Sequence, residues 1–140
     1  MKIEFIENPS QEIYKTIHQG LRAYNRQFLA DKQEEVQIAC VVKNSADEIV
    51  GGLNGYIFTT SLFVEHLWLD EKHRGGQLGS KLMQTAESEA KSRGVTDIFL
   101  DTYSFQARGF YLKLGFTDVG KYTDYPSKGI EKFFLQKSIQ

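Results

Sequence analysis

Apolar positions along this chain follow two periods, near 3.6 and near 2, and the switches between them outline its elements. Ile3 to Ile6 predicts a short first strand. Ser10 then caps a helix whose Ile13, Ile17, Leu21, Tyr24 and Phe28 form one apolar stripe, ended by the polar stretch Asp31 to Glu35. Val36, Ile38, Cys40 and Val42 alternate with other residues, as in a strand. Asn44 to Glu48 reads as a turn, and "IVGGLNGYIFT" from Ile49 as the next strand of a meander. Its Gly51, Gly52 and Gly55 weaken it and mark a bulge or a close backbone approach. "SLFVEHLWLD" is nearly all apolar, which predicts a central strand. Leu78, Leu82, Met83, Ala86 and Ala90 line one face of a helix stopped by Gly94. A buried strand follows from Asp97 to Thr102, then a short helix in "FQARGFYLKLG", then strands near Phe116 to Tyr122 and Ile130 to Lys137. The order β-α-β-β-β-α-β-α-β-β predicts an α/β fold, a mixed sheet of six to seven strands flanked by helices.

Length and composition narrow the class. At 140 residues, with two prolines and no Ser/Gly/Pro-rich linker, the chain reads as one domain over 1–140. A net charge of −1 gives no general attraction to nucleic acid or to an anionic membrane. No apolar run reaches the roughly 18–20 residues of a membrane span, and the N-terminus lacks a signal-like stretch. Cys40 is the only cysteine, so no internal disulfide forms and a reducing, cytoplasmic setting is expected. Three scattered histidines and no H-E-x-x-H predict no metal site.

The chemistry concentrates in "HRGGQLGSKLM", where Arg74 and Gly75, Gly76 and Gly79 lie directly against a helix start. A helix N-terminus leaves four amide N–H groups without intrahelical partners, and roughly half a positive charge gathers there. An anion is its natural occupant. Glycines keep side chains out of the way, and Arg74 adds a formal charge. A plain strand-to-helix turn would use glycine too. The P-loop and the G-x-G-x-x-G dinucleotide fingerprint are both excluded by spacing.

This loop resembles the central signature of the GNAT superfamily of acyl-CoA-dependent N-acetyltransferases, Q/R-x-x-G-x-G/A, from Arg74 to Gly79. Gln77 stands where the family usually has glycine, while Gly76 lies one place earlier. "VEHLWLDEKHRG" is similar to the family's fourth strand, and "FYLKLGF", Phe110 to Phe116, to its second signature. The resemblance covers practically the whole element order. It implies acetyl-CoA as co-substrate. Pantetheine would pair with backbone at Leu67, Trp68 and Leu69, and the pyrophosphate would rest on amides of Arg74, Gly75, Gly76, Gln77, Leu78, Gly79 and Ser80. Ser104 replaces a family asparagine that contacts pantetheine. Dimers are common in the family, so a homodimer is left open as a partner.

Acetyl transfer to an amine needs a neutral nucleophile, a polarised thioester and a stabilised thiolate. Freeing a lysine-like amine from its proton at pH 7 costs about 4.6 kcal/mol, part of which a general base can offset. The resemblance makes Tyr111 the candidate acid and Glu65 the candidate base. Glu65 interrupts an apolar strand, so desolvation should act on its carboxylate. Asp101 and a water relay are alternative bases. His66, in a regular strand, would point to the opposite face in a structural role, and His73 toward solvent or phosphate. Cys40 reads as a buried, inert thiol. Tyr24, Tyr56, Tyr122, Asp124 and Tyr125 flank the family's acceptor cleft by position. The leading expectation is therefore an N-acetyltransferase acting on a primary amine of a small molecule or peptide in a direct ternary complex. A non-catalytic acyl-CoA-binding regulatory domain and a structural α/β domain are the alternatives.

Overall fold

The computed structural model describes residues 1–29 and 35–140. Two compact units make up the chain, residues 1–33 and 34–140.

The first unit carries α1, Gln11–Asn25. The Ser10 hydroxyl accepts the amide of Ile13 at 3.3 Å, satisfying one orphan donor, and Glu12 lies in the first turn where the helix dipole favours a carboxylate. Two expectations change here. Residues 3–6 form no strand, since apolar side chains supply the pattern but not a pairing partner. The helix also stops at Asn25 rather than at Phe28, whose amide turns back to the Asn25 carbonyl at 3.0 Å. The polar stretch expected to end it lies, Glu35 apart, outside the described residues.

The second unit holds a six-stranded sheet of β1 (Val36–Lys43), β2 (Ile49–Phe58), β3 (Ser61–Leu69), β4 (Asp97–Tyr103), β5 (Thr117–Tyr122) and β6 (Lys132–Ser138). Their spatial order is β1-β2-β3-β4-β6-β5. Only β3 and β4 run parallel, joined by α2 (Leu78–Ser92), while α3 (Arg108–Lys113) links β4 to β5. The parallel pair needs a crossover, and the helix supplies it.

The core lies on one sheet face. Leu53, Leu62, Val64, Ile98, Leu100 and Leu135 meet Leu82, Met83, Ala86 and Ala90 of α2 and Tyr111 of α3. These are the α2 positions whose spacing predicts a buried stripe. Cys40 packs against the same cluster, and burial, with a smaller contribution from the Glu89 charge, raises its thiol pKa, as an inert cysteine requires.

Candidate active site

Two irregularities in β3 shape the site. On its β4 edge, pairing runs only from Ser61↔Asp97 to Val64↔Leu100, although both strands continue. Beyond Val64 the strands part, and no ladder joins residues 65–69 to β4. On its β2 edge, Asn54 faces His66 while the next residue, Gly55, faces Val64. Glu65 is therefore the extra residue of a β-bulge.

The bulge resets the alternation. Before it, Leu62 and Val64 face the core; after it, Leu67 and Leu69 do. Glu65 and His66 consequently share the opposite face, and both are exposed. This corrects the expectation that His66 points away from Glu65. It also removes the expected desolvation, because an exposed carboxylate keeps its water. Among the described residues Glu65 has no hydrogen-bond or ion-pair partner, though its charge is felt at Tyr56. Burial is the largest cause of the raised Tyr56 pKa, ahead of Glu35 and Glu65. His66 Nδ1 lies 2.9 Å from Asn54 Oδ1 across the β2–β3 pair.

The bulge fits because β2 has no side chain at Gly55, where a Cβ would stand 2.0 Å from the Phe63 carbonyl oxygen. The glycines of this strand thus mark both a bulge and a close approach.

Leu67, Trp68 and Leu69 follow on β3, paired to Leu53, Gly52 and Gly51 on one edge only. Trp68 is half exposed. A single 3-10 turn, Glu71–His73, leads into the loop, and the Arg74 amide closes it on the Glu71 carbonyl at 3.3 Å. Arg74 Nε donates to the Leu69 carbonyl at 2.9 Å, folding the guanidinium against the end of β3. His73 Nδ1 is 3.7 Å from Asp70 and lacks a hydrogen-bond partner.

Gly75 adopts φ +82°, a conformation that favours glycine, and no atom would meet a Cβ at Gly75 or Gly76. The loop is open there. Gln77 is the N-cap of α2 but makes no side-chain cap bond, and the first turn holds no acidic residue. The amides of Leu78, Gly79 and Ser80 begin the helix without intrahelical acceptors. Helix α1 caps its start with Ser10 and places Glu12 in its first turn; α2 has neither a capping side-chain bond nor a first-turn acid. Gly79 has a second reason to be glycine, since a Cβ would come 3.3 Å from the Phe110 ring.

Tyr111 is 8% exposed, packed edge-on against Phe110 and Phe116 at centroid distances of 5.1 and 5.9 Å. Burial, with a smaller contribution from Asp101, pushes its pKa up to about 12. Its helix is tied to β5 by the Arg108–Asp118 pair, with the guanidinium 4.6 Å above the Phe133 ring. Ser104, just past β4, accepts the Glu131 amide on its hydroxyl at 3.1 Å, which leaves its own O–H free to donate.

Asp101 pairs with Lys132 at 3.6 Å. The Lys132 ammonium also lies 5.2–5.9 Å from the rings of Tyr103, Tyr125 and Phe134. Tyr122 joins this group through Tyr125 and Phe134, and Asp124 accepts the Gly129 amide at 2.9 Å. Neither the lysine-centred aromatic group nor the Asn54–His66 bond was legible as a motif. The glycines of β2 were the available signal for the bulge. Tyr24 lies in the first unit. Among the described residues no His/Cys/Asp/Glu cluster could hold a metal, and no helix is long and apolar enough to cross a membrane.

The sequence profile of the acetyltransferase (GNAT) family matches residues 4–116. Blasticidin-S acetyltransferase of Streptomyces morookaense is 33% identical over 121 residues, spanning 86% of this chain and 88% of the relative. The crystal structure of an acetyltransferase from Bacillus cereus ATCC 14579 superposes with a TM-score of 0.86 at 36% identity, covering 96% of this chain and 97% of that one. An aminoglycoside 6'-N-acetyltransferase complexed with coenzyme A shares the fold, with a TM-score of 0.68 at 19% identity over 100% of this chain and 98% of that one. Enzymes of this family use acetyl-CoA. An open glycine loop, a strand freed from its neighbour and a profile spanning both lead to one conclusion: the chain is an acetyltransferase and belongs to the GNAT family.

Proposed function

We propose that this acetyltransferase passes the acetyl group of acetyl-CoA directly to a primary amine of a small molecule or peptide within a ternary complex. The observation that carries this reading is the parting of β3 and β4 beyond Val64↔Leu100, which leaves backbone of Leu67 and Trp68 unpaired on one edge. The amide-rich start of α2 follows nine residues after Leu69 in sequence. Pantetheine would pair with the free edge, and the pyrophosphate would lie on the amides of Gly75 to Ser80, with Arg74 as its cation. The Arg74 amide itself is committed to Glu71, and Ser104 would donate rather than accept.

Glu65 would take a proton from the amine. Asp101 is already engaged by Lys132. Tyr111 would steady the departing sulfur. A phenol near pKa 12 stays protonated in the physiological range. Full transfer to a thiolate whose thiol has an ordinary pKa of about 8.5 would be uphill by roughly 5 kcal/mol, so its part is hydrogen-bond donation.

Blasticidin S and aminoglycosides are the first acceptors to test, since relatives of this chain are named for them. Thiol release from acetyl-CoA is followed with blasticidin S, an aminoglycoside and peptides bearing free amines. Release that depends on one of these amines, reduced about 10²–10⁴-fold by Glu65→Gln, supports the reading. Acetyl-CoA binding without amine-dependent release would instead favour a non-catalytic binder.

A further inference from the structure

Acylating an ammonium removes two protons from its nitrogen, one before attack and one as the amide forms. The departing thiolate needs only one. A lone carboxylate would have to unload between the two steps, whereas two adjacent acceptors would not.

We propose that His66, oriented by Asn54, is the second proton acceptor for the incoming amine, beside Glu65. This rests on the acetyl-transfer reading above. The bulge supplies the placement, because a regular β3 would send one of the two side chains into the core. Both instead stand exposed on one face, at the point where β3 leaves β4. Asn54 supplies the orientation. With Asn54 Oδ1 as the acceptor, 2.9 Å from Nδ1, the imidazole would carry its proton on Nδ1 and present the Nε2 lone pair outward. A histidine in this tautomer is a ready base.

The protons balance. Nε2 of His66 takes the first proton from the ammonium, and the neutral amine attacks the thioester carbonyl. The C–N bond forms and the C–S bond breaks, Glu65 takes the second proton and releases it to solvent, and the thiolate takes one proton from solvent. The first leaves to water through the exposed imidazole. Among the described residues, charged and titratable groups on this sheet face include Glu65, Tyr56 of β2, which also feels Glu35, Lys43 of β1, and Asp97, Tyr103 and the Lys132-paired Asp101 of β4.

Three variants and one spectrum test the proposal. With an amine accepted by the wild type, His66→Gln should lower kcat/KM for that amine about 10²-fold or more and abolish the acid limb of its pH profile, leaving the KM for acetyl-CoA unchanged. Asn54→Asp should move that limb to higher pH, because an anionic partner favours the imidazolium. Asn54→Leu should lower kcat several-fold without changing the melting temperature. A His66→Gln enzyme with wild-type rate and profile would overturn the proposal while leaving acetyl transfer standing. If no tested amine releases thiol, the transfer reading fails instead. Imidazole ¹⁵N shifts of the free wild-type protein judge the orientation without any acceptor. The Nδ1–H tautomer supports it, and the Nε2–H tautomer sinks it.

Discussion

At the scale of single residues, environment overrides chemical type. Tyr111 and Glu65 were both candidates for proton work, yet one is enclosed by Phe110 and Phe116 and the other stands in water. Enclosure has a consequence for stability. Below pH 10 the Tyr111 phenol is protonated whether the chain is folded or not, so its contribution is fully present. Between about pH 10 and 12 the unfolded chain releases a proton that the folded one keeps, and the contribution is lost as pH rises. Two pKa units correspond to about 3 kcal/mol. Tyr111→Phe should therefore flatten the fall in unfolding free energy over that range relative to wild type, as measured by urea titrations at stepped pH. An equal slope in both proteins would place the phenol in water.

At the scale of elements, the decisive object is the bulged β2–β3 pair. Gly55 admits the Phe63 carbonyl where any side chain would collide with it. Gly55→Ala should destabilise the fold by about 1–3 kcal/mol, since the obstacle is backbone and cannot rotate away. It should also lower turnover more than acetyl-CoA affinity, because Glu65 and His66 move with the bulge while the α2 loop lies beyond it. Chemical denaturation and steady-state kinetics on one preparation check both halves. Period-two alternation located these strands, but a bulge is a mismatch of register between two segments, and neither segment announces it alone. Regular alternation puts His66 on the wrong face for that reason. The N-terminal strand expected at residues 3–6 fails similarly, because β-structure is a property of pairs.

At the scale of the whole molecule, acetyl-CoA should act as a stabiliser. At 100 times its dissociation constant a ligand that binds only the folded state adds about 2.7 kcal/mol, roughly 5–10 °C in melting temperature for a protein of this size. Arg74→Ala should reduce that shift, and an undiminished shift would place the pyrophosphate elsewhere. What the sequence determined by itself was whatever is encoded within a few residues. This includes the apolar stripe of α2, the Ser10 cap, the glycine turn at 75–76 and the family signature that names the chemistry. These depend on backbone conformation and spacing along one segment, which local sterics dictate. Tertiary structure alone decided the rest: where β3 leaves β4, which face receives Glu65 and His66, how Asn54 meets the imidazole, and that Lys132 occupies Asp101. Each of these joins segments distant in sequence, and their relative register is fixed only when the shared core packs.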